Sequence, residues 1–300
     1  MGVGVAAAAG EEDVEAAVVE IDQADLIEVP LVGVGYRQPL VDWLFSCPPE
    51  VSCVEITAEH FFDFGQERLE WLRDNFPVFV HGLGLSLGTP GPLDETTLEQ
   101  FAQVVRVANP EWISEHVAFT RSTEVDLGHL NPLAPTETAL RTLIDHARQL
   151  MDHCQKPLIL ENVTSFLKLS GEMSEPEFLN RLCDQSGCGL LLDVTNLFIN
   201  ARNHRFDETA WLDELNPEHV VQLHVVGYSQ QGGAWQDYHG AAIQPELFAL
   251  VREVVQRTLV RAVIVERDTD FPPIQELTKE LQRLDDECVA ARQLQSCQDV

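Results

Sequence analysis

Three hundred residues, 45% of them hydrophobic, are enough for one large core, and 49 acids against 19 bases leave a formal charge of −30. That balance excludes nucleic acid and anionic membrane surfaces as natural partners, because both are bound by clustered Lys and Arg. No apolar run approaches the ~20 residues of a membrane span, and Met1–Gly10 lacks the basic start of a signal peptide. The seven cysteines are odd in number, scattered and free of C-x-x-C, which fits reduced thiols in a cytoplasmic protein.

Residues 1–29 carry acids but no base and read as a flexible acidic arm ahead of a domain spanning 30–300. Leu31–Gly35 is a first short strand, and Pro39 opens a short helix. A second strand, Cys53–Ile56, leads into Glu59-His60; Gln66–Asn75 has helical spacing. Val78–Val80 is a third strand, ending in His81 and a glycine-rich turn to Gly88. Asp94 caps a helix reaching Ala108, with Leu98, Phe101, Val104 and Val105 on its inner side.

The fourth strand, Trp112–Ser114, ends in Glu115-His116, and a long polar loop through Asp126 and His129 leads to a helix ending at Cys154. Strand five, Pro157–Leu160, ends in Glu161-Asn162. Ser174 and Glu177 form the capping box of a helix to Ser186. Strand six, Gly189–Leu192, ends in Asp193; Asn203-His204 is assigned to the following loop, and Asp207 caps a helix to Leu215. Strand seven, Val220–Leu223, ends in His224, followed by a glycine-rich loop with Trp235, Asp237 and His239. A helix over Pro245–Arg257, strand eight at Ala262–Val265 ending in Glu266-Arg267-Asp268, and a helix from Ile274 complete the chain.

Eight short apolar strands alternating with helices predict an α/β fold, a single (β/α)8 TIM barrel. No G-x-G-x-x-G opens the first helix, which disfavours a dinucleotide-binding open sheet. In a barrel the C-terminal strand ends meet at one mouth. Here they carry Glu55, His81, His116, Glu161, Asp193, His224 and Glu266, with Asp237 and His239 spaced i and i+2 to face one point. So many buried ionisable groups are costly unless something neutralises them, and the bases for an ion-pair network are scarce. Imidazoles with carboxylates and no thiolate suit iron, manganese or zinc, and the set is too large for one ion. Glu59 and His60 read as groups that orient ligands or as helix-start residues, Asn162 and Asn196 as loop caps or ligands, and Arg267 with Asp268 as an ion pair anchoring the mouth. His129 and His204 read as exposed loop residues; His146, His153 and His219 read as structural. No serine-hydrolase elbow, P-loop or H-E-x-x-H occurs.

His81-Gly-Leu-Gly-Leu-Ser-Leu-Gly88, Ser114-Glu-His116, Leu160-Glu-Asn162, Leu191-Leu-Asp193-Val-Thr-Asn196, Leu223-His224-Val-Val-Gly227, Asp237-Tyr-His239-Gly240 and Glu266-Arg-Asp268 follow one another along the chain. In these motifs, from about Val32 to Leu284, the sequence resembles the multinuclear non-haem iron-dependent oxidases, which include the oxidase of methanobactin biosynthesis. The resemblance implies a xylose-isomerase-like barrel with two or three irons, mixed Fe(II) and Fe(III), and O2 as co-substrate. It implies oxidation of a residue, most often cysteine, in a ribosomally made precursor peptide that a partner protein presents. Carried over, the iron ligands are His81, His116, Glu161, Asp193, His224, Asp237, His239 and Glu266, with Glu55, Glu59, Asn162, Asn196 and Asp268 behind them. Two positions depart from the family pattern: Arg37 and Tyr228 stand where many members have histidines. Barrels of this shape also host divalent-metal sugar isomerases and epimerases, and a metal-binding scaffold without turnover is the remaining alternative. The acidity argues against a barrel endonuclease, and the absence of a strand-end lysine argues against the isomerase.

Overall fold

The computed structural model describes residues 29–122 and 125–298; the acidic arm, apart from Val29, lies outside them. The barrel strands are β1 (Leu31–Gly35), β2 (Cys53–Thr57), β3 (Val78–His81), β4 (Ile113–His116), β7 (Leu158–Glu161), β8 (Gly189–Asp193), β9 (Val220–Val225) and β12 (Ala262–Val265). They pair in parallel in the order β1-β2-β3-β4-β7-β8-β9-β12, and β12 returns to β1 to close the ring. The helices are α1 (Val41–Leu44), α2 (Gln66–Asn75), α3 (Glu95–Ala108), α4 (Glu137–Cys154), α5 (Glu175–Ser186), α6 (Val194–His204), α7 (Glu208–Glu214), α8 (Pro245–Arg257) and α9 (Ile274–Gln298). Asp94, Thr136, Ser174, Asp193 and Asp207 each accept a backbone N–H at a helix start, which satisfies donors that the helix itself leaves free. None of the described helices is long and apolar enough to cross a membrane.

The strands read as unbroken apolar runs because both faces of the wall are buried, yet alternation decides what each face carries. One set of residues, including Val54, Ile56, Val80, Leu160, Leu192, Val225 and Val263, packs against the helices. The intervening residues point inward. Cys53, Phe79, Trp112, Ile159, Leu191, Ala262 and Ile264 form an apolar plug, in which the Phe79 and Trp112 rings stack 4.3 Å apart. Further up the same faces come Glu55, Ser114 and Gln222, and then His81, His116, Glu161, Asp193 and His224, all buried. At Gly33 a Cβ would lie 2.1 Å from the Cys53 carbonyl oxygen, so glycine is what lets β1 approach β2.

Three connections differ from the sequence expectation. The polar loop after β4 is a hairpin of β5 (Ala118–Ser122) and β6 (Val125–Pro132). The glycine-rich loop after β9 is a second hairpin, β10 (Gly227–Gln231) and β11 (Ala234–Ala241), turning at Gly232 and Gly233, both at positive φ. Helix α6 starts directly after Asp193 and runs through Asn203 and His204, which the sequence pattern assigns to a loop. Asn203 is used there, since its side chain exchanges two hydrogen bonds with the Trp235 backbone and fastens the second hairpin to α6. Cys183 and Cys188 are buried with sulfurs 4.0 Å apart, and Cys47, Cys53, Cys154, Cys183, Cys188 and Cys288 are free thiols.

Candidate metal centre at the barrel mouth

Two of the strand-end histidines, His81 and His224, are each held by an inward neighbour one layer below. The ring of His81 meets Ser114 Oγ through Nδ1 at 2.8 Å and turns Nε2 toward Glu161 Oε2, 3.4 Å away. His224 meets Glu55 through Nε2 at 2.7 Å and presents Nδ1 to Glu161 and Glu266 at 3.4 and 3.1 Å. Glu55 sits mid-strand rather than at the end of β2, one layer below the mouth. It is the last link of a chain in which the Trp112 indole donates to Gln222 (2.8 Å) and the Gln222 amide donates to Glu55 (2.5 Å). His116 Nε2 lies 3.4 Å from Glu161, and Glu115 accepts the His116 and Leu85 amides.

Asp193 is oriented by both asparagines that follow the strand ends. Asn162 exchanges hydrogen bonds with the Asp193 backbone, Asn196 donates its side chain to the Asn162 carbonyl, and the Asn196 amide takes Asp193 Oδ1. Glu59 acts elsewhere, where its carboxylate accepts the Leu83 and Gly84 amides and ties down the glycine-rich turn after β3. Gly82 and Gly88 allow that turn its path, since a Cβ at Gly82 would crowd Phe101 at 2.9 Å and one at Gly88 the Ala118 carbonyl at 2.7 Å. His60 is exposed.

The second hairpin supplies Asp237 and His239. They do not converge as an extended pair: His239 stands in the left-handed region (φ 54°), and its Nε2 meets Asp237 Oδ2 at 2.6 Å. Its Nδ1 is 3.0 Å from Asp268. The expected Arg267–Asp268 pair is absent among the described ion pairs. Arg267 reaches back to Glu280 at 3.1 Å and to the Ala241 carbonyl, whereas Asp268 is held by Arg37 at 2.5 Å. Adjacent residues on an extended segment point to opposite sides, which sequence proximity alone conceals. Tyr228 turns away from the mouth to stack on Phe198 and hydrogen-bond Glu246. Of the histidines assigned to the background, His146 is buried with both ring nitrogens at backbone carbonyls, His204 bonds the Ser165 carbonyl, His129 is exposed, and His219 lies in the turn before β9.

Three groups of side chains bring ligand atoms close enough to share an ion: His81, His116 and Glu161; Glu161, Asp193, His224 and Glu266; and His239, Glu266 and Asp268. Glu161 belongs to the first two and Glu266 to the last two. Asp237 stands beside them without joining any. His81 Nε2, Glu161 Oε2, Asp193 Oδ2 and His224 Nδ1 are buried without a hydrogen-bond partner among the described residues. Such atoms are rare unless an ion or water completes them.

The electrostatics show the same shortage of cations. Burial, with His116 and His224 beside it, drives His81 well below the ordinary imidazole range. Burial opposes charging of His116 as well, but Glu161 and Glu115 outweigh it and push the ring up to about 9. Glu55, Glu161 and Glu266 likewise overcome burial at His224. Burial, with the charges of Glu161 and Asp237, raises Asp193 well above the carboxylate range.

Beside the mouth lies a cleft of about 390 Å³, lined by Val117, Leu133, Asn162, Val163, Met173 and Phe206 among others. Val117 and Asn162 directly follow His116 and Glu161, so the cleft wall is one residue from two members of the centre.

Over residues 31–288 the chain matches the family described as RiPP precursor modification enzyme MbnB/TglH/ChrH. It is 34% identical over 251 residues to a UPF0276 protein of Chromobacterium violaceum, spanning 83% of this chain and 91% of that one. A UPF0276 protein of Rhizorhabdus wittichii is 33% identical over 257 residues, spanning 84% and 92%. Among solved structures, L-ribulose 3-epimerase is similar at a TM-score of 0.59 and 11% identity, covering 90% of this chain and 98% of that one. Endonuclease IV from Thermus thermophilus is similar at 0.57 and 15%, covering 86% and 98%. At those identities the two structures share its fold alone. The family match, by contrast, runs from the first barrel strand into the last helix and takes in every strand that feeds the mouth, and the chain belongs to the MbnB/TglH/ChrH family of RiPP precursor modification enzymes.

Proposed function

We propose that this protein is a multinuclear iron oxidase that uses O2 to modify a residue, cysteine by preference, of a ribosomally made precursor peptide presented by a partner protein. The observation that carries the metal part is the set of buried, unpartnered atoms of His81, Glu161, Asp193 and His224 turned toward one another. Imidazole nitrogens and carboxylate oxygens form the donor set that iron accepts. His81, His116 and Glu161 would hold one ion and Glu161, Asp193, His224 and Glu266 another, with Asp237 and His239 at the rim. Bound iron supplies the multi-electron oxidising chemistry. The chain supplies orientation. Ser114 and Glu55 engage the far nitrogens of His81 and His224 and so fix which nitrogen faces the centre. The Asn196 amide engages one oxygen of Asp193 and leaves the other free. The cleft alongside, apolar over most of its wall, would seat a peptide side chain and keep water from it.

The test is anaerobic reconstitution with Fe(II), followed by iron analysis, Mössbauer spectroscopy and O2 uptake with a cysteine-containing peptide encoded beside the gene. At least two coupled irons per chain and peptide-dependent O2 consumption are expected. His116→Ala and Glu161→Gln should each lose iron while keeping the wild-type circular dichroism spectrum. Full iron retention in both variants, or a single zinc or manganese with no O2 uptake, overturns the proposal and favours the isomerase or scaffold alternative.

A further inference from the structure

The cleft beside the mouth carries charges that the metal centre does not explain. One wall is the connection from β7 to α5, and α6 fastens it: Asn200 engages the Ser165 amide and the Val163 carbonyl, each at 2.9 Å, and His204 meets the Ser165 carbonyl at 2.7 Å. The wall is apolar where Leu133, Met173, Phe178 and Phe206 line it, and Leu167 on its border is 71% exposed. Into these surroundings α5 and α7 bring three carboxylates, Glu175, Asp207 and Glu214. Asp207 caps α7, and Glu214 accepts the Ser174 hydroxyl. Glu175 is half-buried, and the Trp211 indole donates to its Oε2 at 3.1 Å. Its other oxygen has no hydrogen-bond partner among the described residues. Lys168 is the one lysine or arginine in the lining, it is exposed, and neither it nor the three carboxylates enters an ion pair among the described residues. Burial raises the Glu175 carboxyl above its ordinary range, against the pull of the Trp211 N–H.

We propose that this cleft binds a lysine or arginine side chain of the precursor peptide, from a position beside the modified residue, and that Glu175 receives its cationic head. Both side chains lay a methylene stem along apolar surface and carry a charge at the tip, which matches an apolar wall with a carboxylate set into it. A charge-assisted hydrogen bond to a half-buried carboxylate is stronger than the same bond in water. An apolar side chain would fill the walls but leave Glu175 desolvated without a cation, and an acidic one would add like charge, so the cleft selects for a base. Val117 and Asn162 in the cleft wall directly follow His116 and Glu161, so the side chain seated there belongs to a residue close in sequence to the one offered to the centre. The net charge of −30 acts in the same direction at longer range, drawing a basic peptide toward the protein.

The inference rests on the peptide-modifying reading above, and binding and O2 uptake separate the failure of one from the failure of the other. The probes are three tripeptide amides, acetyl-Lys-Cys-Lys, acetyl-norleucine-Cys-norleucine and acetyl-Glu-Cys-Glu, which carry the same thiol with one kind of side chain on both sides of it. Each is titrated into the full-length protein at about 150 mM NaCl, where attraction between distant charges is screened, and binding is followed by calorimetry and by the indole N–H resonance of Trp211, assigned with Trp211→Phe. The lysine peptide is expected to bind roughly tenfold more tightly than the norleucine peptide, as one charge-assisted hydrogen bond would give, and to shift the Trp211 resonance; the glutamate peptide is expected to bind least. Glu175→Gln, whose amide oxygen still accepts from Trp211, should bring the lysine peptide down to the norleucine level. Asp152→Asn, an equal change of charge in the last turn of α4, should leave the preference intact. Equal binding of the lysine and norleucine peptides by wild type, an unmoved Trp211 resonance, or a lysine preference that survives in Glu175→Gln overturns the inference; the two wild-type readouts decide it alone should Glu175→Gln fail to fold. Peptide-dependent O2 uptake by the iron-loaded protein would then leave the oxidase reading standing, whereas the lysine preference without bound iron or O2 uptake overturns that reading and leaves the cleft's specificity in place.

Discussion

At the scale of single residues, the mouth is governed by what stands one layer beneath it. Gln222 is fully buried, accepts from Trp112 and donates to Glu55, so it ties the apolar plug to the carboxylate that steers His224. Replacing it with leucine strands a buried indole N–H and a buried carboxylate oxygen. Each stranded group costs about 1–3 kcal/mol, so Gln222→Leu should lose stability on that scale in urea unfolding; a change below about 0.5 kcal/mol, as at an ordinary surface site, would show that the link contributes nothing. This residue escapes a reading of the sequence although the groups at the strand ends do not. A histidine or carboxylate that closes an apolar run stands out by contrast, whereas one glutamine inside Val-Val-Gln-Leu looks like a defect in a strand. The partners of Arg37 escape for another reason: Glu266 and Asp268 lie 229 and 231 residues away, and nothing local marks the closure of β1 on β12.

At the scale of elements, periodicity and caps locate the barrel strands and most helices, because burial on both faces leaves runs that nothing else in the chain imitates. Helix α3 shows how local that information is. Asp94 accepts from the Thr97 amide at 2.8 Å and the Thr97 hydroxyl at 2.9 Å, and both bonds hold its carboxyl below the usual range. A cap of this kind is worth about 1 kcal/mol, so Asp94→Ala should lower stability by that amount at pH 7. The folded-state value is depressed, so the cap's contribution is present above the ordinary carboxylate value of about 3.9 and is lost as pH falls through the folded value. Urea unfolding of both proteins between pH 7 and pH 3 measures this, and a constant difference across that range refutes it. The two hairpins are not legible in the same way. Their strands are polar and half exposed, and they pair only with each other. What places the second hairpin is Asn203 and the stacking of Phe198, Tyr228 and Trp235, contacts that form only once α6 is built.

At the scale of the whole molecule the dominant quantity is charge. The net −30 is far from what the exposed ion pairs can offset, and much of the basic complement is already committed: Arg106 to Glu99, Arg257 to Asp213 and Glu253, Arg261 to Glu111, Arg181 to Glu137. Such exposed pairs contribute little each, while the uncompensated acids repel one another across the surface and work against the compact state. Screening decides which wins. Raising NaCl from about 10 mM to about 150 mM shortens the screening length from about 30 Å to about 8 Å, which removes repulsion between distant acids but weakens the pairs at contact much less. The metal-free protein should therefore melt several degrees higher at the greater ionic strength, with KCl and NaCl equivalent, because the effect is one of screening. A melting temperature that falls with salt would mean that the contact pairs outweigh the summed repulsion. A rise seen with one cation only would point to specific binding at the carboxylate-rich mouth, and that outcome should vanish in Glu161→Gln.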